Sequence, residues 1–109
     1  MLLVIKSKAD EKTLKKVTED LEGYIKVVVD IEKEILTAGG TIHADGEKLL
    51  LAQGCSQKNL WGGGLDLETG EIDFDSMINI RPNQENTSRE VLSKEIRDKM
   101  EKIIRDFLI

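Results

Sequence analysis

The sequence has very little of several residue types that define whole classes of protein. Its 109 residues contain one cysteine, one proline, one tryptophan, one tyrosine and two phenylalanines. Because Cys55 has no second cysteine to pair with, no disulfide can form within the chain. With so few aromatic rings, the hydrophobic core must be built mainly from aliphatic side chains.

Long apolar runs and concentrated basic runs are also missing. No segment approaches the roughly 20 apolar residues needed to cross a bilayer, and the apolar stretch Met1–Ile5 is too short for the core of a signal peptide. We therefore predict a cytoplasmic protein without a membrane segment. The formal net charge is −5, and nucleic-acid binding is not expected because it needs a concentrated basic surface.

What is present fits a single folded domain over residues 1–109. Hydrophobic residues make up 39% and charged residues 34% of the chain, a balance typical of globular proteins. Leu2–Lys6 predicts a short buried strand. A helix follows, because Leu14 and Val17 recur at helical spacing, and a second helix beginning after Ser93 closes the chain.

The middle of the chain predicts a first β-hairpin. Residues 25–35 alternate apolar and charged side chains at the period of a strand. Helical spacing also occurs in this stretch, but its β-branched residues favour the strand. Gly39-Gly40 predicts a two-residue turn, so the return strand runs from Thr41 towards Ala52.

A second hairpin is predicted around Thr69-Gly70, and Pro82 ends its return strand. That turn aligns three apolar pairs on one face of the sheet, which fixes the register: Leu67 with Ile72, Leu65 with Phe74, and Trp61 with Ile78. The full pattern predicts an α+β two-layer sandwich in the order β-α-β-β-β-β-α, with a mainly antiparallel sheet of about five strands and two helices on one face. The other face is then free for solvent, a ligand or a partner.

Three consecutive glycines lie inside the outgoing strand of the second hairpin. Phosphate-binding loops place their glycines at a strand-to-helix turn instead. Gly62-Gly63-Gly64 therefore indicates a bulge, or a place where another group approaches the backbone closely.

The first hairpin gathers acidic side chains and the only histidine on one face. In the predicted register Glu32 lies opposite Glu47. Asp30, Glu32, His43 and Asp45 form a candidate site for a divalent metal. The alternative, favoured by the spacing, is an ordinary solvated face, because one histidine with flexible carboxylates matches no established metal motif.

The second hairpin contributes Asn79 and Arg81. Arg81 could clamp a carboxylate or a phosphate through two parallel hydrogen bonds, or it could pair with Asp45 or Glu47 across the sheet. If the two hairpins share a polar face, the candidate polar site comprises five residues: His43, Asp45, Glu47, Asn79 and Arg81.

The chain combines several short stretches: Gly39-Gly40, His43-Ala44-Asp45, Leu60-Trp61-Gly62 and Ile78-Asn79-Ile80-Arg81-Pro82, followed by Asn86 and Ser88. Together they resemble a family of small uncharacterised archaeal and bacterial proteins, known only as a domain of unknown function. The resemblance spans nearly the whole chain and implies a shared pattern, but no activity, for His43, Asp45, Trp61, Asn79 and Arg81. Members commonly carry cysteine where this chain has Gly46, which argues against essential thiol chemistry there.

The sequence leaves two main functions open, together with a purely structural or regulatory role that it cannot separate from the first of them. The first is a non-enzymatic binding module that uses an open polar sheet face or an edge strand, so that a homodimer or a protein partner is expected. The alternative is a metal-dependent or acid–base enzyme acting on a small polar substrate, with its site around His43, Asp45 and Arg81. The enzyme needs these three side chains in one concave pocket.

Overall fold

One antiparallel sheet carries the fold of the computed structural model, which describes all residues 1–109. Its strands are β1 (Leu3–Ile5), β2 (Tyr24–Asp30), β3 (Ile35–Ala38), β4 (Leu60–Asp66) and β5 (Ile72–Asp73), and its helices are α1 (Glu11–Val17), α2 (His43–Ala52) and α3 (Lys94–Leu108). The strands are ordered β1-β3-β2-β4-β5, and each neighbouring pair is antiparallel. The predicted α+β class is confirmed.

The first and last helices begin at side-chain caps. The carboxylate of Asp10 accepts a hydrogen bond from the N–H of Thr13 at 2.7 Å, and the hydroxyl of Ser93 accepts from the N–H of Ile96 at 3.3 Å. Each cap satisfies a donor that the first helical turn leaves free, so the predicted start of α3 after Ser93 is confirmed. None of the helices is long and apolar enough to cross a bilayer.

Both α1 and α3 contribute to the larger hydrophobic core, on one face of the sheet. Their buried apolar side chains pack against those of β2, β3 and β4, in a cluster that includes Val17, Val27, Val29, Leu36, Trp61, Met100 and Ile104. Trp61 is the only aromatic residue among the fully buried members. The prediction of a mainly aliphatic core is confirmed.

The second face of the sheet is covered in part by α2, which the sequence prediction missed. Residues 43–52 form this helix rather than the return strand of a hairpin. The run Glu47–Ala52 contains strong helix formers and no β-branched residue, so its local preference agrees with the structure. Leu50 of α2 packs with Val28 and Leu60 in a smaller core. The two predicted helices do share one face of the sheet, but a third helix lies on the other face, which the prediction had left open.

The first hairpin turns earlier than predicted, between β2 and β3. The carboxylate Oδ1 of Asp30 accepts hydrogen bonds from the N–H groups of Glu32 and Lys33, both at 2.9 Å. Glu34 completes the turn in the left-handed region, at φ 54°. Gly39-Gly40 also has positive φ values, but it connects β3 to α2. The two glycines were correctly predicted to adopt positive φ values. The prediction was wrong about what they connect, because they lie between β3 and α2 and not between two strands of a hairpin.

The second hairpin is present, with a register two residues away from the prediction. Leu65 pairs with Ile72 rather than with Phe74, because the carboxylate of Asp66 accepts from two N–H groups of the turn and closes it tightly. The return strand ends at Asp73, and Trp61 lies opposite Val29 of β2. The predicted Leu67–Ile72 and Trp61–Ile78 pairs are therefore absent. After β5 the chain runs through short 3₁₀ turns at Met77–Asn79 and Pro82–Gln84.

Candidate functional site

Polar side chains from distant parts of the sequence converge on the backbone of β4. Arg81 donates to the carbonyl of Leu60, Asn79 bonds both backbone groups of Gly62, and His43 bonds the carbonyl of Gly63. These three side chains belong to the stretches that carry the family resemblance. Their common target is a strand of the protein itself, rather than a shared ligand pocket.

The three glycines of β4 are required by close approach, as the sequence predicted. A Cβ atom on Gly62 would lie 2.6 Å from the Cβ of Ser76. One on Gly63 would overlap the carbonyl oxygen of Asp73, and one on Gly64 would overlap the hydroxyl of Tyr24. No side chain larger than hydrogen fits without a shift of these neighbours.

Arg81 is almost fully enclosed, with 7% of its surface exposed. Its guanidinium donates to the carbonyls of Ile78 at 3.0 Å and Gln57 at 2.7 Å, as well as to Leu60. It also lies over the ring of Trp61, 4.3 Å from the ring centre, an arrangement that favours a cation. Burial lowers the pKa of Arg81 from its ordinary value. Its donors thus link its own segment of the backbone to residues 57–60 at the start of β4.

Asn79 and Asn86 hold the irregular segment that follows β5. The Asn79 side chain is fully buried and donates to the carbonyls of Gly62, Phe74 and Arg89 at 2.9–3.2 Å. The amide of Asn86 donates to three further carbonyls, among them that of Asn79 at 2.8 Å. In this way two side-chain amides replace the backbone ladder that a regular strand would supply.

His43 is the first residue of α2 and is half-buried against β4. Its Nε2 lies 2.7 Å from the carbonyl oxygen of Gly63. Because that oxygen only accepts, Nε2 carries the proton, and in the neutral ring Nδ1 is the acceptor. Burial lowers the pKa of His43, while the hydrogen bond to Gly63 opposes this effect.

The acidic candidates lie apart from one another. Asp30 is fully buried in the hairpin turn described above. The pKa of the Cys55 thiol is raised to about 11 by the burial of that thiol and by its hydrogen bond to Asp30. Glu32 is exposed in the same turn, and Asp45 is exposed on α2. Glu47 has one buried oxygen without a hydrogen-bond partner, and its charge opposes the lowering of the pKa of Arg81.

The hairpin face that was predicted to carry the metal ligands is therefore absent, because α2 takes the place of its return strand. No group of three or more His, Cys, Asp or Glu side chains is arranged to hold a metal ion. The charge of Glu47 acts on Arg81, and the side chains of Arg81 and Asn79 both bond to the backbone of β4. The structure does not bring all five candidate residues into one cavity.

The candidate site drawn from the sequence left out Tyr24, Lys26 and Asp73. The charges of Lys26 and Asp73 act on His43. The hydroxyl of Tyr24 donates to Asp73 at 2.5 Å, and the pKa of Tyr24 is raised by burial and by this carboxylate. The alternation of β2 offered a signal, since Tyr24 and Lys26 share one face of that strand. Because α2 was not predicted, no sequence signal placed His43 near that face of β2.

The fold and these contacts define a small α+β protein built on an open antiparallel sheet whose central backbone is held by buried polar side chains. Residues 3–107 match the family model described as "Protein of unknown function (DUF5674)". The chain belongs to this family, which confirms the resemblance seen in the sequence. No curated protein and no solved structure gives a significant match.

Proposed function

We propose that this protein is a non-enzymatic interaction module that binds a partner by adding a strand to the edge of its sheet at β1. The observation that carries the proposal is the unpaired edge of β1. β1 pairs with β3 on one side only and is the terminal strand of the sheet. An edge strand offers a row of backbone donors and acceptors to a second strand.

The surface beside β1 supplies the side-chain pockets that such binding needs. An open groove of about 390 Å³ lies between β1 and α2, and its exposed lining is mainly apolar; it is formed by Leu2, Asp45, Lys48, Leu49 and Ala52. A second concavity, of about 260 Å³, begins at Val4 and continues into the start of α1. Strand addition draws its specificity from pockets of this kind on either side of the paired backbone.

The occupant that fits best is a second copy of the chain. Two β1 strands related by a two-fold axis at Val4 would place Leu3 opposite Ile5, and Leu2 opposite Lys6 of the other copy. Because Leu2 shares its groove with Asp45, the exposed Lys6 of the second copy would approach Asp45. The pairing is apolar along the strand and brings a lysine near a carboxylate at both ends, in a groove that Lys48 also lines. The two-fold axis makes the pairing closed and symmetric.

Charge reversal at the exposed ends tests this pairing by sedimentation velocity over a range of concentrations. We expect the wild type to dimerise reversibly, and Lys6→Glu or Asp45→Lys to weaken the dimer. Exposed pairs contribute about 0.2–1 kcal/mol each, so two symmetric pairs give about a 2- to 30-fold change in Kd. The double variant Lys6→Glu, Asp45→Lys should recover the wild-type Kd.

Two matched controls carry the same charge changes elsewhere: Lys58→Glu and Glu68→Lys, both at exposed positions. They should leave the dimer unchanged. A wild-type chain that stays monomeric at every concentration would rule out the second copy as the occupant. A dimer that weakens equally in the variants and in the controls would rule out pairing through β1.

The enzyme alternative has less support, because the donors of Arg81 are already bonded to the carbonyls of Gln57, Leu60 and Ile78. Two expectations stay predictions from the sequence. They are the cytoplasmic location and the set of metal ligands Asp30, Glu32, His43 and Asp45.

A further inference from the structure

Few side chains attach α2 to the second face of the sheet. Leu50 is its only fully buried side chain, and it packs in the smaller core with Val28, Cys55 and Leu60. By comparison, α3 buries four apolar side chains in the larger core. Because apolar burial is the main force that holds a helix to a sheet, α2 is bound much more weakly than α3.

Polar contacts add little to this attachment. Nε2 of His43 donates to the carbonyl of Gly63 at 2.7 Å. The charged side chains Asp45, Glu47 and Lys48 of the same helix take part in none of the ion pairs of the chain. The docked position of α2 therefore depends mainly on Leu50 and on one hydrogen bond.

The docked helix also leaves two polar groups without partners. The backbone of α2 rests on Thr37, because a Cβ on Gly46 would lie 2.5 Å from the Thr37 hydroxyl. That hydroxyl and one carboxylate oxygen of Glu47 are buried and make no hydrogen bond, and the cleft beside Thr37 is too narrow for water. Buried polar groups without partners are destabilising, so the docked state is opposed by groups that water would satisfy in an open state.

Glycines with positive φ flank α2 at both ends. Gly39-Gly40 precedes it and Gly54 follows it. The N–H groups of Gly39-Gly40 are hydrogen-bonded, so this pair is anchored, and the chain continues through the exposed residues Thr41 and Ile42. Hinges are short segments of this kind at the ends of an element, where a few residues absorb the change in backbone angles.

We propose that α2 is a hinged lid on the second face of the sheet, which opens while the sheet and the larger core stay folded. Opening uncovers Val28 and Leu60 and gives water access to the hydroxyl of Thr37. A helix of ten residues is marginal in water on its own, so the open segment loses its helical hydrogen bonds. The larger core contains no residue of α2 and is not disturbed.

Pairing at β1 holds this lid closed, a form of regulation that rests on the function proposed above. Asp45, Lys48, Leu49 and Ala52 of α2 line the groove beside β1, and Asp45 is the residue that Lys6 of a second copy would approach. A partner that binds only one of two conformations shifts the protein towards that conformation. The second copy therefore binds the closed form and makes opening rarer.

Hydrogen exchange of the native protein in low concentrations of urea, followed by NMR below the Kd of the dimer, tests the opening. After correction for intrinsic rates, we expect the amides of residues 47–52 to exchange at least about tenfold faster than those of β2 and β4. Their exchange should depend only weakly on urea, because the opening exposes little surface. Equal protection and equal urea dependence in α2 and β4 would overturn the proposal.

Ile104→Val distinguishes opening of the lid from unfolding of the whole protein. The variant weakens the larger core and should speed exchange in β4 by about twofold to tenfold. Exchange in α2 should not change, because Ile104 stays packed when the lid opens. Ile109→Val makes the same change at an exposed position and should alter neither. Equal acceleration of α2 and β4 in Ile104→Val would overturn the proposal, because α2 would then open only with the whole fold.

Exchange at two protein concentrations tests the regulation by pairing. At a chain concentration of about ten times the Kd, about one-fifth of the chains are monomers, so α2 should exchange about fivefold more slowly than in a dilute sample. Lys6→Glu should reduce this difference. Slower exchange in β4 without slower exchange in α2 would overturn the regulation. A chain that stays monomeric would overturn the function proposed above together with the regulation, whereas the opening of α2 is decided by the two preceding experiments.

Discussion

The hydroxyl of Tyr24 reaches across β4 and donates a hydrogen bond to the carboxylate of Asp73 on β5, at 2.5 Å. The ring passes directly over Gly64, which lies opposite Asp73 in the ladder. One side chain thereby connects three neighbouring strands, and the missing side chain of Gly64 makes the connection possible.

Gly64→Ala should destabilise the protein by about 1–3 kcal/mol, because the new methyl group would displace the Tyr24 ring and break its bond to Asp73. Urea unfolding measures the change. In a Tyr24→Ala background the same substitution should cost much less, since the obstructing ring is gone. Equal costs in the two backgrounds would contradict the steric explanation.

Arg81→Lys should lower the free energy of unfolding by about 2–4 kcal/mol, although it keeps the charge. An ammonium group cannot reproduce the planar set of donors that reaches Gln57, Leu60 and Ile78, and their carbonyls would lose partners. The control is Arg89→Lys at an exposed ion pair, which should change stability by less than about 0.5 kcal/mol. An Arg81→Lys variant as stable as the wild type would show that these contacts do not hold the fold.

Asn79→Asp should cost at least about 3 kcal/mol at neutral pH, because it places a carboxylate against three carbonyl oxygens in a fully buried position. Thermal unfolding at pH 7 and again at pH 4.5 tests the reason. Protonation at the lower pH should recover part of the loss, relative to the wild type at the same pH. Asn83→Asp, at an exposed position, is the matched control and should have little effect.

The stability of the protein should fall as pH drops through the ordinary pKa range of histidine. Burial lowers the pKa of His43 in the folded state, so the unfolded chain binds the proton more tightly. The neutral ring therefore contributes stability above pH about 6.5, and this contribution declines as pH falls towards the folded-state pKa. His43→Gln removes the effect, and the difference in unfolding free energy between wild type and variant, measured from pH 8 to pH 5, should shrink with acidification. A constant difference would contradict the pKa assignment.

The parts of the fold that sequence could predict depend on local signals. α3 has a Ser93 cap and a regular apolar stripe, and its start was found correctly. α2 has neither: Ile42 is no capping residue, and Leu49, Leu50 and Leu51 are consecutive, so the helical period is weak. The positive φ values of Gly39-Gly40 suit a hairpin turn and a strand-to-helix connection equally well. Because the residues before this pair alternate like a strand, the residues after it were wrongly predicted to form the return strand.

The residues of the candidate site were likewise predicted only in part. Asn79 and Arg81 were selected from the sequence, and the structure places both in a connected polar network. Their acceptors on β4, Gly62 and Leu60, lie about twenty residues earlier, at distances along the chain over which composition and periodicity carry no information. Lys26 was left out because its closeness to His43 depends on α2 lying over the sheet.

The amide of Asn79 occupies the hydrogen-bonding groups of Gly62, and residues 74–76 are paired with residues 89–91. If β1 pairs as proposed above, the protein resembles a monomer with one reactive end, at β1, and one terminated end. In polymer terms such a unit can couple once, head to head, and then stops, because propagation requires two reactive ends. A lasting excess of this protein in a cell should therefore accumulate as discrete pairs rather than as fibrils.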